Sequence, residues 1–478
     1  MRTFVKDIGL LGITNFLVTL RGLLLVPILT KSLDPALYGM WVQFSITLTL
    51  ATSIVTLGLP YAVIRFVAGE REKRSVQDGV WSSFLIAGTS ALFLLSGLVF
   101  FSQPIAVFLE IPPLFLGLLG LAIFLESTSL ILLSAFRAFQ KAWRYSLFTL
   151  LSLGSEVGLV SLAVWFGYGL SGAILAFLAS KLLIFLLALA AMHPVAGFAI
   201  PRFSRVKKYL TFGLPMLMSN VAFWIVQSSD RYLITFFLGV LFVGYYAPAY
   251  ALGNVIHFLV MPFALALPPV LSKLFDEGKL SEVQTYLKYS LKYFLLLAIP
   301  AVCGLSVLSE QLLTIISTKE IASQSHGVTP YIAMSLLLYG IYTIFFQVLF
   351  LYSKIHISGL FWIGAALLNI GLNLVLIPLL GIMGAALTTL LAYLFASFLV
   401  WRSSIQYLSF PIDWGSIFKS IGVSLCMSLI IIFLSPKTTF DTILAILLGI
   451  LIYGVSLFIL RTFNKKEVEF FRNVILSH

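Results

Sequence analysis

The sequence predicts an all-α, polytopic membrane protein of about 14 transmembrane helices. Three observations carry that expectation. Of 478 residues, 60% are hydrophobic and only 10% charged, against roughly 25% charged in a soluble globular domain. The apolar residues fall into runs of about 20, the length that crosses a hydrocarbon core. Basic residues alternate between consecutive loops as the positive-inside rule requires. Eighteen acidic and 30 basic residues cannot coat a soluble body of this length, so a soluble enzyme, a disordered chain and a secreted disulfide scaffold are excluded. Cys303 and Cys426 both sit in apolar runs and suggest neither a disulfide framework nor a metal site. The net charge of +12 reflects cytoplasmic loops rather than a nucleic-acid partner.

The first span, 8–29, follows a basic N-terminus. It is too long for the apolar core of a cleavable signal and lacks a small-residue cleavage site, so it is expected to remain as a helix. Further spans follow at 39–64, 79–102, 113–135, 146–167 and 170–192. After a basic segment come 210–237, 243–267, 290–308, 329–351, 357–379 and 382–401, and finally 415–434 and 441–461. Pro27, Pro215 and Pro262 fall inside spans, which membrane helices tolerate because neighbouring groups re-satisfy the freed backbone. No GxxxxGK[ST] pattern is present, so the chain is not expected to be its own ATP motor.

Loop charge sets the orientation. With the N-terminus in the cytoplasm, 24 of the 30 basic residues fall on inside segments, among them Arg65, Arg71, Lys73 and Arg74, Lys288 and Lys292, and Lys465, Lys466 and Arg472. Only Lys31, Lys319 and Lys437 fall outside, and Arg21, Lys181 and Arg231 lie within spans. Both termini are therefore expected in the cytoplasm of a cytoplasmic-membrane protein. The longest outside loop, around 309–328, has no room for a catalytic domain, so no enzymatic activity is expected.

The two halves of the chain resemble each other. Tyr168–Ala176 (YGLSGAILA) matches Leu380–Thr388 (LGIMGAALT), Thr14-Asn15 matches Ser219-Asn220, and Gly39 matches Gly244. The offsets lie between 205 and 213 and fall at equivalent points of six-helix units. Six helices is an even number, so two pseudo-symmetric bundles of the same orientation are expected, a transporter arrangement. The expected division is an N-terminal bundle at 1–195, a cytoplasmic linker at 196–209, a C-terminal bundle at 210–405, and two further helices with a cytoplasmic tail at 406–478.

The chain resembles the polysaccharide-transport branch, of O-antigen flippase type, of the multidrug/oligosaccharidyl-lipid/polysaccharide (MOP) exporter superfamily. The resemblance rests on LTKSLDPALYGMW (Leu29–Trp41), GLPYAVIRF (Gly58–Phe66), FGLPMLMSN (Phe212–Asn220), VGYYAPAYAL (Val243–Leu252) and PPVLSKLFDEGKL (Pro268–Leu280). It implies a MATE-like fold, two six-helix bundles about a central cavity that opens alternately to each side. It implies as substrate an oligosaccharide on a polyprenyl pyrophosphate, membrane lipid as surroundings, and as further partners a coupling cation (H+ or Na+) and a polysaccharide polymerase. No cofactor or metal is implied. An ion-coupled multidrug exporter of the same superfamily is the alternative. Lipid II flippases of the superfamily cluster arginines in their first, second and eighth helices. Here only Arg21 is embedded, Arg65 is marginal and span 8 has His257, which argues against lipid II as cargo.

Charges within spans are costly and usually face a cavity or a partner. Arg21 is the candidate headgroup anchor, because guanidinium binds phosphate bidentately; a structural pair with an acidic residue is the competing reading. Arg65 marks the cytoplasmic mouth. Asn220, Gln227 and Arg231 form one polar stripe on span 7, with Asp230 beside it as a local partner for Arg231. Tyr246, Tyr250, Asn254 and His257 recur down span 8, and its repeat partner, span 2, carries Trp41, Ser45, Thr49 and Thr52 at the equivalent positions. Tyr250 and Asn254 are candidate sugar contacts. Glu126, Glu156 and His257 are candidate ion-coupling groups, although Glu156 and Lys181 are better read as neutralising each other between adjacent helices. Asn369 and Asn373, one turn apart, are candidate interhelical glue.

Overall fold

The structure is a computed structural model in which residues 2–70, 72–462 and 467 are described. Arg71, Lys465, Lys466, Arg472 and the rest of the expected tail lie outside these residues. In chain order the helices are α1 (Arg2–Thr30), α2 (Pro35–Val55), α3 (Leu59–Val67), α4 (Lys73–Phe100), α5 (Ser102–Leu109), α6 (Pro113–Ala138), α7 (Ala142–Trp165), α8 (Gly169–Ala196), α9 (Val206–Ser228) and α10 (Asp230–Leu238). They continue with α11 (Val240–Gly253), α12 (His257–Asp276), α13 (Leu280–Val307), α14 (Ser309–Ile316), α15 (Lys319–Ser325), α16 (Val328–Leu351), α17 (Ile355–Leu380), α18 (Ile382–Ser404), α19 (Trp414–Leu434) and α20 (Thr439–Ile459). Among the described residues, 14 stretches are long and apolar enough to span a bilayer. The protein is an all-α, multi-pass membrane protein.

Three expected spans are not single smooth helices. Span 2 breaks between α2 and α3, where Leu57 and Gly58 take positive φ of 50° and 70° and Pro60 opens the new helix. Gly58 also lies against the backbone of Gly213, where a Cβ would collide with the carbonyl. Glycine is therefore demanded twice, by the left-handed backbone and by the close approach. Span 7 breaks at Ser229 between α9 and α10. Span 8 extends over Val240–Asp276, 37 residues, and tightens into a 3-10 turn at Asn254–Ile256. The segment around 309–328, expected as an outside loop, is largely helical, as α14 and α15, the latter capped by Thr318 Oγ1 accepting from the Ile321 N–H at 3.3 Å.

The chain groups into two compact units, Met1–Ala247 with Trp362–Ala385, and Pro248–Phe361 with Ala386–His478. In the first unit α6 is central, packed on α4, α8, α3 and α2, and it fully buries Leu116, Leu119, Ile123, Ile131 and Leu132. In the second, α13 packs on α16 and α19. Within the first unit, α2 meets the opening turn of α11 at two glycines. A Cβ on Gly39 would strike the Val240 carbonyl, and one on Gly244 the Pro35 carbonyl. The two glycines matched in the sequence repeat thus sit at one helix crossing.

The segment 196–209 is tied to α4. The buried Asp78 carboxylate accepts the backbone N–H groups of Arg202 (2.5 Å), Phe203 (3.0 Å) and Ser204 (3.2 Å) and the Ser204 hydroxyl at 2.5 Å. Trp81 Nε1 donates to the Gly197 carbonyl at 2.8 Å, and Arg205 pairs with Glu70. A buried carboxylate with four donors is well solvated by protein, so the linker has a fixed path.

Candidate functional site

Four charged residues from four helices of the first unit converge. Arg21 comes from α1, Glu126 from α6, Glu156 from α7 and Lys181 from α8. These meet because α7 packs between α1 and α8, and α6 also packs on α8. Lys181 Nζ lies 2.9 Å from Glu126 Oε2 and 3.2 Å from Glu156 Oε2. Arg21 Nη1 approaches the same Glu156 oxygen at 3.2 Å. Glu156 and Lys181 are 3% and 4% exposed, whereas Arg21 is 41% and Glu126 35% exposed. The cluster thus has a buried pair flanked by two partly open groups, and its formal charge is zero. The pairing of Glu156 with Lys181 is as the sequence indicated. Arg21 has the acidic partner of its competing reading and keeps an open face.

The span-7 stripe is divided by the break at Ser229. Asn220, on α9, is exposed and donates through Nδ2 to the Tyr61 hydroxyl at 3.1 Å. Gln227 is half-buried, and its carbonyl accepts from Arg231. Arg231, on α10, is only 5% exposed. Its Nη1 meets Asp230 Oδ1 at 2.7 Å, and its guanidinium lies over the Tyr246 ring, 5.3 Å from the centroid. The Tyr246 hydroxyl donates to Asp230 Oδ2 at 2.5 Å, and Gln43 Nε2 donates to the Arg231 carbonyl at 2.9 Å. Arg231 therefore sits in a closed polar nest with its neighbour. Gln43 and Thr235 complete that nest through their mutual hydrogen bond, and neither was singled out from the sequence. Nearby on α17, Asn373 Nδ2 donates to Asn369 Oδ1 at 3.1 Å, which Ser229 Oγ approaches at 3.4 Å.

The other candidates are dispersed. Arg65 is exposed in the last turn of α3. Tyr250 is 8% exposed on α11. Asn254 lies in the 3-10 turn and is half-buried. His257 opens α12 and stacks on Tyr339 at a centroid distance of 5.8 Å. Trp41 is buried against Phe44 and Phe177, while Ser45 and Thr49 bond back to their own helix. Among the described residues no group of three or more His, Cys, Asp or Glu side chains could hold a metal ion.

Sequence reading missed one site. Lys292, counted as an inside-segment cation, is 4% exposed on α13 and bonded to Glu467, Asp413 and the Thr462 carbonyl. Asp413 caps α19, accepting the Ser416 N–H at 3.1 Å and hydroxyl at 2.7 Å. Burial pushes the Asp413 carboxyl up, but the Ser416 donors and the Lys292 ammonium outweigh it and hold the group below its ordinary value. The available signal was the spacing Asp413-x-x-Ser416 before an apolar run, a cap pattern.

The profile of the polysaccharide biosynthesis protein family matches residues 4–275. The chain belongs to this family. The MatE profile also matches, over residues 215–375, and the chain is a member of the MOP superfamily. A curated relative, the probable flippase AglR of Haloferax volcanii, is 26% identical over 257 residues, 50% of this chain and 52% of the relative. The chain thus spans about half the length of the curated relative it matches. Its fold is that of the lipid II flippase MurJ in an inward closed conformation, at a TM-score of 0.74 and 17% identity over 96% of this chain and 99% of that one. An inward-facing multidrug resistance MATE family transporter follows at a TM-score of 0.70 and 15% identity, over 81% of this chain and 94% of that one. At such identities the likeness concerns fold alone. The polysaccharide biosynthesis profile covers the stretch that carries Arg21, Glu126, Glu156 and Lys181, and the MatE profile lies C-terminal to all four.

Proposed function

We propose that this protein is a flippase, moving a polyprenyl-pyrophosphate-linked oligosaccharide across the cytoplasmic membrane by alternating access, without a covalent step. The supporting observation is Arg21. Its guanidinium lies in a spanning helix, is 41% exposed, and shares one Glu156 oxygen with Lys181. A sugar–pyrophosphate head is polar and anionic, and hydrocarbon does not solvate it. A guanidinium binds such phosphate oxygens bidentately. When Arg21 turns toward a phosphate, Glu156 keeps Lys181, so no buried carboxylate is left unpaired. That matters because stripping the partner from a buried ion costs about 3–5 kcal/mol.

Asn220, Gln227, Tyr250 and Asn254 then serve as polar contacts for the head, and Arg65 as a cation near the entry side. Both termini face the cytoplasm, a polysaccharide polymerase receives the product outside, and an H+ or Na+ gradient drives the cycle through Glu126 or His257. The test is reconstitution in liposomes with a short pyrophosphate-linked oligosaccharide and a leaflet-access assay. Arg21→Ala and Arg21→Glu are expected to lower the rate at least tenfold, Arg21→Ala with a nearly unchanged unfolding midpoint because Glu156 keeps Lys181, and Arg21→Glu with a lower one because it adds a carboxylate beside Glu156. Transport at the unaltered rate in both variants would remove the basis of the reading. The alternative, an ion-coupled drug exporter, is favoured by the partly open Glu126 carboxylate. It predicts cation-dependent efflux of drug from the same liposomes, lost in Glu126→Gln, with no oligosaccharide movement.

A further inference from the structure

We propose that the ends of α13, α19 and α20 on the side the basic bias assigns to the cytoplasm form a binding site for a phosphate-bearing lipid headgroup. A pocket of about 430 Å3 lies there, lined by Lys288, Lys292, Asp413, Lys419, Arg461 and Glu467 together with hydroxyl-bearing residues. Its charges fall into two layers. Deep in the pocket, the Lys292 ammonium is held by Asp413 Oδ2 at 3.2 Å, Glu467 Oε1 at 3.0 Å and the Thr462 carbonyl at 3.1 Å. Both acidic side chains of the lining pair with that ammonium.

The outer layer holds Lys288, Lys419 and Arg461, and none has a carboxylate within ion-pair distance among the described residues. Lys419 Nζ is fixed by the Leu460 carbonyl at the end of α20, 2.8 Å away. Lys288 lies over the Tyr289 ring at 5.7 Å. Four basic groups against two acidic ones give the lining an excess of two positive charges. Loop cations on an ordinary positive-inside surface spread into water, whereas these come from α13, α19 and the turn after α20 around one cavity with a neutralised floor. Convergent cations without acidic partners, at the depth of a membrane interface, suit a phosphate.

Further along α13, α19 and α20, the same helices border the apolar cavity containing Leu296, Met427 and Tyr453. A lipid with its phosphate in the pocket thus has apolar surface for its chains. An anionic bilayer lipid and a prenyl pyrophosphate share this chemistry. The site stands whether or not the protein is a flippase.

The experiment uses the full-length protein, delipidated in detergent, with bound lipid counted by native mass spectrometry. The probes are phosphatidylglycerol, geranylgeranyl pyrophosphate and, as a zwitterionic control, phosphatidylcholine. The variants are Lys288→Gln/Lys419→Gln/Arg461→Gln and the charge-preserving Lys288→Arg/Lys419→Arg. The triple variant is expected to bind phosphatidylglycerol or geranylgeranyl pyrophosphate roughly tenfold or more weakly, with an unchanged unfolding midpoint. The arginine variant retains binding. Whichever probe shows this pattern identifies the source of the phosphate. Unaltered binding of both anionic probes by the triple variant overturns the proposal, as does equal loss in the charge-preserving variant or binding of phosphatidylcholine as tight as that of phosphatidylglycerol.

Discussion

At the scale of single residues, Lys181 carries the most electrostatic responsibility. It is 4% exposed and touches both carboxylates of the first-unit cluster. Lys181→Met leaves Glu126 without its contact and Glu156 dependent on Arg21 alone. The expected cost is about 3–5 kcal/mol, read as a lower unfolding midpoint in detergent, and Lys181→Met/Glu156→Gln should recover part of it. A midpoint equal to the parent's would show that the cluster contributes nothing to folding. The pairing of Glu156 with Lys181 was legible because adjacent spans are antiparallel neighbours. The arrival of Arg21 at the same oxygen was not, because hydropathy gives no rotational phase for α1 against α7. Asp413 supplies a pH dependence of definite sign. Its carboxyl lies below its ordinary value in the folded protein, so its stabilisation is complete above about pH 4 and is lost as pH falls through the native value. Thermal unfolding of Asp413→Asn against the parent between pH 7 and pH 3 should show a gap that narrows on acidification. A gap independent of pH would contradict the assignment.

At the scale of elements, the informative places are where helices break or touch. Gly58-Leu59-Pro60 marks the α2–α3 break in the sequence by ordinary punctuation, yet the hydropathy of 39–64 masks it, since both pieces are apolar. The α9–α10 break at Ser229 has no proline or glycine to announce it, and so the stripe through Arg231 looked continuous. The segment at 309–328 reads as a loop in the sequence because α14 and α15 are shorter than any hydropathy window. Close contact is legible only as small residues, and Gly39 and Gly244 gave no hint that they meet each other. Their crossing has no room for a Cβ on either side. Gly244→Val should therefore force α11 from α2 and destabilise the protein by about 1–3 kcal/mol through overpacking. Gly371→Ala, at a position open to a Cβ, is the control. Equal unfolding midpoints for the two variants would mean that the crossing relaxes without cost.

At the scale of the whole molecule, the fold class and the number of spans follow from a bilayer's demand for about 20 apolar residues per crossing. That demand acts on each segment separately, so it can be read locally. How the chain groups in space cannot, because it depends on which side chains pack. The first compact unit takes in Trp362–Ala385 from far along the chain, and nothing in local hydropathy marks that return. Orientation is again local in origin, since each short loop carries its own charge. The 24-to-3 division of loop cations therefore makes a sharp prediction about which side each segment faces. Lys319, opening α15, and Lys207, in the first turn of α9, are both exposed and lie on opposite sides by this count. In a background carrying Cys303→Ser and Cys426→Ser, Lys319→Cys should react with a membrane-impermeant maleimide added to intact cells. Lys207→Cys should react only after the membrane is opened. The reverse pattern would invert the molecule and move the basic pocket of α13, α19 and α20 to the outer face.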